Sequence, residues 1–120
     1  MTTDLCEYAT EEFRLSGCPE GSDVPLRDHL RYVAKQIGND SLYEEPQMPV
    51  GGEIYWNWFM QLHAARGSSG FGPSPLSYED INAWATRMRI YPTPLEVELL
   101  KMLDITYLQV ILNKKGGGKP

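Results

Sequence analysis

No stretch of this 120-residue chain approaches the roughly 20 apolar residues that a membrane-spanning helix needs. No strand-like alternation of apolar and polar residues runs for more than a few positions, which argues against a sheet-based core. Basic charge is also short: 11 Lys and Arg stand against 16 Asp and Glu, for a formal net charge of −5. Phosphate neutralisation needs a basic surface, so nucleic acid is not an expected partner. Lys114, Lys115 and Lys119 form a short basic tail. At about 1 kcal/mol per cation it is a weak membrane anchor, and no membrane partner is expected. Histidine is limited to His29 and His63, and cysteine to Cys6 and Cys18. There is no H-x-x-x-H pair, no C-x-x-C and no carboxylate three or four residues from His63, so no metal and no catalytic histidine are expected. Neither cysteine has a cationic neighbour in the sequence of the kind that marks a catalytic thiol, and no such thiol is expected. No signal-peptide pattern precedes the cysteines, and an intracellular, reducing setting with free thiols follows as the expectation. A Cys6–Cys18 bridge is allowed by the spacing but not demanded by it.

What the chain does have is helical periodicity, broken by nine prolines and eleven glycines in a few clusters. Residues 1–21 form an N-terminal segment in which Leu5, Ala9 and Phe13, flanked by Tyr8, predict a short helix from Asp4 to Leu15. Gly17, Pro19 and Gly21 stop it. In residues 22–112, read as the helical domain, Ser22 or Asp23 can cap a helix with Pro25 in its first turn. Leu26, Leu30, Val33, Ala34 and Ile37 then share one face, and Gly38-Asn39 is a natural stop. An irregular linker leads to Glu53–Arg66, the most hydrophobic stretch. Gly67–Pro75, reading GSSGFGPSP, is a flexible connector; no strand precedes it and no lysine follows, so it is not a phosphate loop.

Two helix starts are sharply written. Ser77 with Asp80, and Thr93 with Pro94 and Glu96, both fit the capping box, in which an N-cap hydroxyl and a carboxylate three residues on satisfy each other's backbone N–H groups. The first opens a helix with Ile81, Trp84, Ala85 and Met88 on its apolar face. The second opens one with Val97, Leu100, Tyr107, Leu108 and Ile111 in a stripe interrupted by Asp104, widened by Leu99, Met102, Leu103 and Ile105. The resulting hairpin, Pro75 to Leu112, suits contact with another protein. As a DNA reader its second helix would present Glu96 and Glu98 to phosphates. Residues 113–120 read as a flexible, disordered tail. The expected fold class is all-α: a small bundle of four to five short helices with irregular linkers and that tail.

Tyr55, Trp58, Phe59 and Leu62 share one helix face and, with Trp84, suit a core. Trp56, Met60 and His63 form a second row on the same helix. A helix apolar on both sides is central in a bundle or apolar at an interface. Trp and Met are enriched at interface cores, and Phe71 is a large apolar side chain in a loop. Trp56, Met60, His63 and Phe71 are therefore the expected partner-binding residues, with the hairpin as the scaffold that holds them. No polar triad, metal set or cofactor loop is visible, so the chain is not expected to be an enzyme and no cofactor is expected.

Taken together, Tyr55-Trp56-Asn57-Trp58-Phe59, Leu62, Arg66, the glycine-rich loop, Pro75-Leu76-Ser77-Tyr78-Glu79-Asp80-Ile81, Ala83-Trp84, Thr93-Pro94, Glu96-Val97, Leu103-Asp104 and Tyr107-Leu108 resemble the tail assembly chaperones of tailed phages and prophages, in the shorter lambda-type form. The likeness spans about Leu26 to Leu108. It departs at Leu95, where a Trp is expected after the Thr-Pro, and at Arg89-Ile90, where the turn is expected to carry a Gly. The resemblance implies a non-catalytic protein of the bacterial host cytoplasm that binds the tape measure protein, assists tail tube assembly and is missing from the mature virion. It leaves open a homo-oligomer. It also implies a longer frameshifted form, for which the codons of Gly116 to Lys119 are the place to look. Competing readings are a structural tail-completion component retained in the particle and a small DNA-binding regulator using the 77–112 helix pair.

Overall fold

A computed structural model describes residues 2–39, 43–70 and 72–116. Among them are five helices: α1 (Thr2–Ser16), α2 (Leu26–Ile37), α3 (Glu53–Ala64), α4 (Tyr78–Met88) and α5 (Pro94–Gly116). Two two-residue strands, β1 (Ser68–Ser69) and β2 (Gly72–Pro73), pair antiparallel between α3 and α4, with Ser68 opposite Pro73 and Ser69 opposite Gly72. The protein is all-α in class, as the periodicity predicts.

The core forms where three helices meet. Leu5 and Ala9 of α1, Phe59 and Leu62 of α3, and Leu99, Leu100 and Leu103 of α5 are all buried, joined by Leu76 and Ile81. The central member is α5, which packs along α1 on one side and α3 on another. That double contact explains why its apolar residues spread around the helix rather than forming one narrow stripe. Met102 and Ile105 fall outside both contacts and stay exposed, as does Met88 at the last helical residue of α4.

Local chemistry sets most helix ends as expected. Ser77 Oγ accepts from Asp80 N at 3.0 Å and Asp80 Oδ2 accepts from Ser77 N at 2.9 Å. Thr93 Oγ1 accepts from Glu96 N at 3.2 Å, and Glu96 Oε1 accepts from Thr93 N at 2.8 Å. Gly38, at φ 79°, ends α2, and the Asn39 N–H reaches back to Ala34 O at 3.0 Å.

Four expectations are corrected. Pro25, not Ser22 or Asp23, is the N-cap of α2; the Ser22 hydroxyl instead accepts from Val24 N and meets His29 Nε2 at 2.9 Å. Arg66 lies beyond the end of α3, because the helix closes with tighter three-residue bonds, Ala65 N to Leu62 O at 3.2 Å and Arg66 N to His63 O at 3.1 Å. The 67–75 connector is not free: its strands pair, and Ser74 N donates to Gly67 O at 3.0 Å across its base. Finally, α5 continues through Gly116, and only Gly117–Pro120 of the proposed tail lie outside the described residues.

Candidate protein-interaction surface

Trp56 projects from α3 toward α1 and meets three rings. Tyr8 lies edge-on with centroids 5.1 Å apart, Phe13 is at 5.4 Å and Phe59 at 6.2 Å. Trp56 is thus half-buried in the α1–α3 seam, and α1 supplies the cover. Met60 keeps 38% of its surface exposed. His63 is half-buried, stacked on Phe59 with centroids 5.7 Å apart and edge-on to Tyr107 at 4.4 Å. Phe71 lies outside the described residues. Among the three described members of the row, Trp56 and His63 share the seam around Phe13, whereas Met60 faces outward.

Below His63 lies a buried polar cluster with Arg66 and Asp104 at its centre. Arg66 Nη1 sits 2.6 Å from Asp104 Oδ1, with both side chains almost wholly buried. Arg66 also donates from Nε to His63 Nδ1 at 3.1 Å and from Nη1 to Ser74 O at 2.9 Å, and its guanidinium lies 4.7 Å from the Tyr107 ring centre. The second oxygen of Asp104 accepts from Leu76 N at 3.0 Å, and Lys101 Nζ donates to Leu76 O at 2.6 Å. These bonds bind the 67–76 connector to α5. They explain the interruption of the α5 stripe: Asp104 is the anchor for a backbone segment that no helix would otherwise satisfy. Burial pushes the His63 pKa down, the Arg66 cation lowers it further, and Asp104 opposes both. His63 is therefore held neutral, which keeps Nδ1 available as an acceptor. Pattern reading along α5 missed this cluster. The signal was available, since a lone carboxylate inside an apolar stripe requires a buried partner.

The α4–α5 hairpin has a separate concave face. A groove of about 440 Å³ is lined by Tyr78, Ile81, Asn82, Ala85, Thr86 and Arg89 from α4 and its end. Ile90, Tyr91, Pro92 and Val97 complete it. Arg89 holds φ 57° and closes α4, taking the left-handed position where a glycine is the expected residue. The fold is braced here from α3: Tyr55 Oη donates to Glu96 at 2.9 Å. The Thr93 N–H bond, then the Tyr55 hydroxyl, hold the Glu96 carboxyl below its usual range.

The described residues contain no helix long and apolar enough to cross a membrane. Cys6 and Cys18 are both free and half-buried. Against known families, the one described as phage tail assembly chaperone matches residues 33–109, well over half of the chain. The chain belongs to the phage tail assembly chaperone family. The match runs from the second half of α2 to near the end of α5, so it takes in the polar cluster and the hairpin groove. No curated protein and no solved structure gives a match. Family membership implies a part in phage tail assembly, with tail proteins as the class of partner and the infected host cell as the place of action.

Proposed function

We propose that the protein is a non-catalytic adaptor that binds the tape measure protein in the host cytoplasm. There it keeps the client from aggregating and helps tail tube subunits assemble around it, before leaving the particle. The observation that carries this reading is the family match over residues 33–109. The physical character of the chain supports it. A long helical client exposes apolar stripes that need temporary cover. This chain offers apolar side chains on an acidic body of net charge −5, so that a complex stays soluble.

The test is co-expression with the tape measure protein of the same phage or prophage genome. The client is expected in the soluble fraction and in a joint peak on size-exclusion chromatography, whose mass gives the number of chaperone copies. Mass spectrometry of purified virions is expected to find no chaperone. A client that stays insoluble, or a chaperone present in stoichiometric amounts in virions, overturns the proposal; the latter result points to a structural tail component.

A further inference from the structure

The hairpin groove combines an apolar floor with one unpaired cation. Its floor is Ile81, Ala85, Ile90 and Val97, and its rim carries Tyr78 and Tyr91, 60% and 91% exposed. Among the described residues, Arg89 is the only charged one lining it. Arg14, Arg27, Arg31 and Arg66 each have a carboxylate within ion-pair distance. Among the described residues, Arg89 has none, and neither has Arg87, which does not line the groove. In a chain with net charge −5, an apolar groove with a lone, unneutralised arginine is a local reversal of charge.

The length of the groove is set by helix geometry. Tyr78, Asn82, Ala85 and Arg89 fall at i, i+4, i+7 and i+11, a row of roughly 16 Å at 1.5 Å per residue. That is enough for the i, i+4 and i+7 side chains of a docked helix, about 10 Å of its length. Tyrosine and arginine beside apolar floors are the residue types that dominate binding energy at interfaces. The backbone that presents them is fixed. Arg89 N–H bonds to Thr86 O, Ile90 N–H to Ala85 O at 2.9 Å, and the Thr93–Glu96 capping box follows at once. A rim held this way loses little freedom on binding.

We infer that this groove is a docking site for an acidic amphipathic helix of a partner protein, whose apolar row seats on Ile81, Ala85 and Val97 while a carboxylate pairs with Arg89. The inference takes its partner class, a tail protein, from the chaperone reading; the groove and its charge preference stand apart from it.

Two synthetic helical peptides test the preference, sharing one leucine row and carrying either Glu or Lys at the flanking positions. In two-dimensional NMR of the full chain, the Glu peptide is expected to shift the resonances of Ile81, Ala85, Tyr91 and Val97. It should bind about tenfold more tightly than the Lys peptide, the contribution of one charge-assisted contact. Arg89→Glu should reverse that order. Arg89→Gly should weaken the Glu peptide while raising the thermal midpoint, because glycine suits the left-handed backbone; a merely structural arginine would not separate the two readouts. Equal binding of both peptides, shifts that miss the groove, or an order unchanged in Arg89→Glu overturns the inference. Recovery of the tape measure protein on wild type and on Arg89→Glu separates the two claims. Equal recovery removes the tape measure protein as the occupant of the groove and leaves the adaptor function; no recovery on wild type removes the function, and in either case the peptides decide the groove's charge preference.

Discussion

Asp104 shows how one side chain can hold a segment that the secondary structure leaves loose. It pairs with Arg66 and accepts the Leu76 N–H. Removing one member of a buried pair leaves the other charged and unpartnered, which typically costs about 3–5 kcal/mol. Asp104→Ala is expected to lose that much in urea unfolding. Replacing both partners with apolar residues should recover only part of the loss, because Leu76 N and Ser74 O would still lack their side-chain partners. His63 adds a pH dependence. Its folded pKa lies below the ordinary value of 6.5, so the unfolded chain binds the extra proton first. The stability that neutral His63 contributes is complete above about pH 6.5. It declines as the pH falls through that value toward the lower folded pKa. The groups facing His63 fit this: Arg66 repels its cation, Phe13, Phe59 and Tyr107 desolvate it, and only Asp104 favours it. Urea midpoints at about pH 7.5 and 5.5 are expected to diverge in wild type, and to diverge less in His63→Gln.

Among the elements, α1 changes the meaning of α3. By spacing alone α3 has two apolar rows, and the second reads as a surface for a partner. In the fold, α1 lies over part of that row, with Tyr8 and Phe13 against Trp56. Trp56→Ala is therefore expected to lower stability by about 2–3 kcal/mol, less than a fully buried tryptophan, as measured by thermal or urea unfolding. A change under about 0.5 kcal/mol would show that α1 does not seal the seam. The linker before α3 is equally close-fitting. A Cβ on Gly52 would meet Leu5 Cδ1 and Pro49 O at 3.2 Å each, so the join of the linker, α1 and α3 relies on a residue without a side chain.

Across the whole molecule, α2 stands partly apart from the core. It packs on α1, where Arg27 reaches Glu12 at 2.6 Å and Glu45 at 3.0 Å, and Arg31 reaches Glu45 at 2.6 Å. Its best-written apolar face is only partly used: Ala34 is buried, whereas Val33 is half exposed and Ile37 is 65% exposed. Ile37→Lys is expected to change the unfolding free energy by no more than about 0.5 kcal/mol, despite sitting in a clean amphipathic stripe. A loss of 2 kcal/mol or more would place Ile37 in a packed interface in solution.

The five helices, the starts of α4 and α5 and the stop of α2 were legible from the sequence because they arise from contacts a few residues apart, whereas the cap of α2 and the ends of α3 and α5 were not. Periodicity set the faces of α1, α3 and α5. Hydroxyl–carboxylate pairs three residues apart opened α4 and α5, and Gly38 closed α2. The family resemblance rested on the same local pattern and was met by the match over residues 33–109. Tertiary structure decided everything that depends on long separations. It joined Arg66 to Asp104 across 38 positions of chain, brought α1 over Trp56, left the outer side of α2 uncovered, and set Arg89 beside an apolar groove. Amphipathicity states that a face can be buried; only the packing of the other helices determines whether it is.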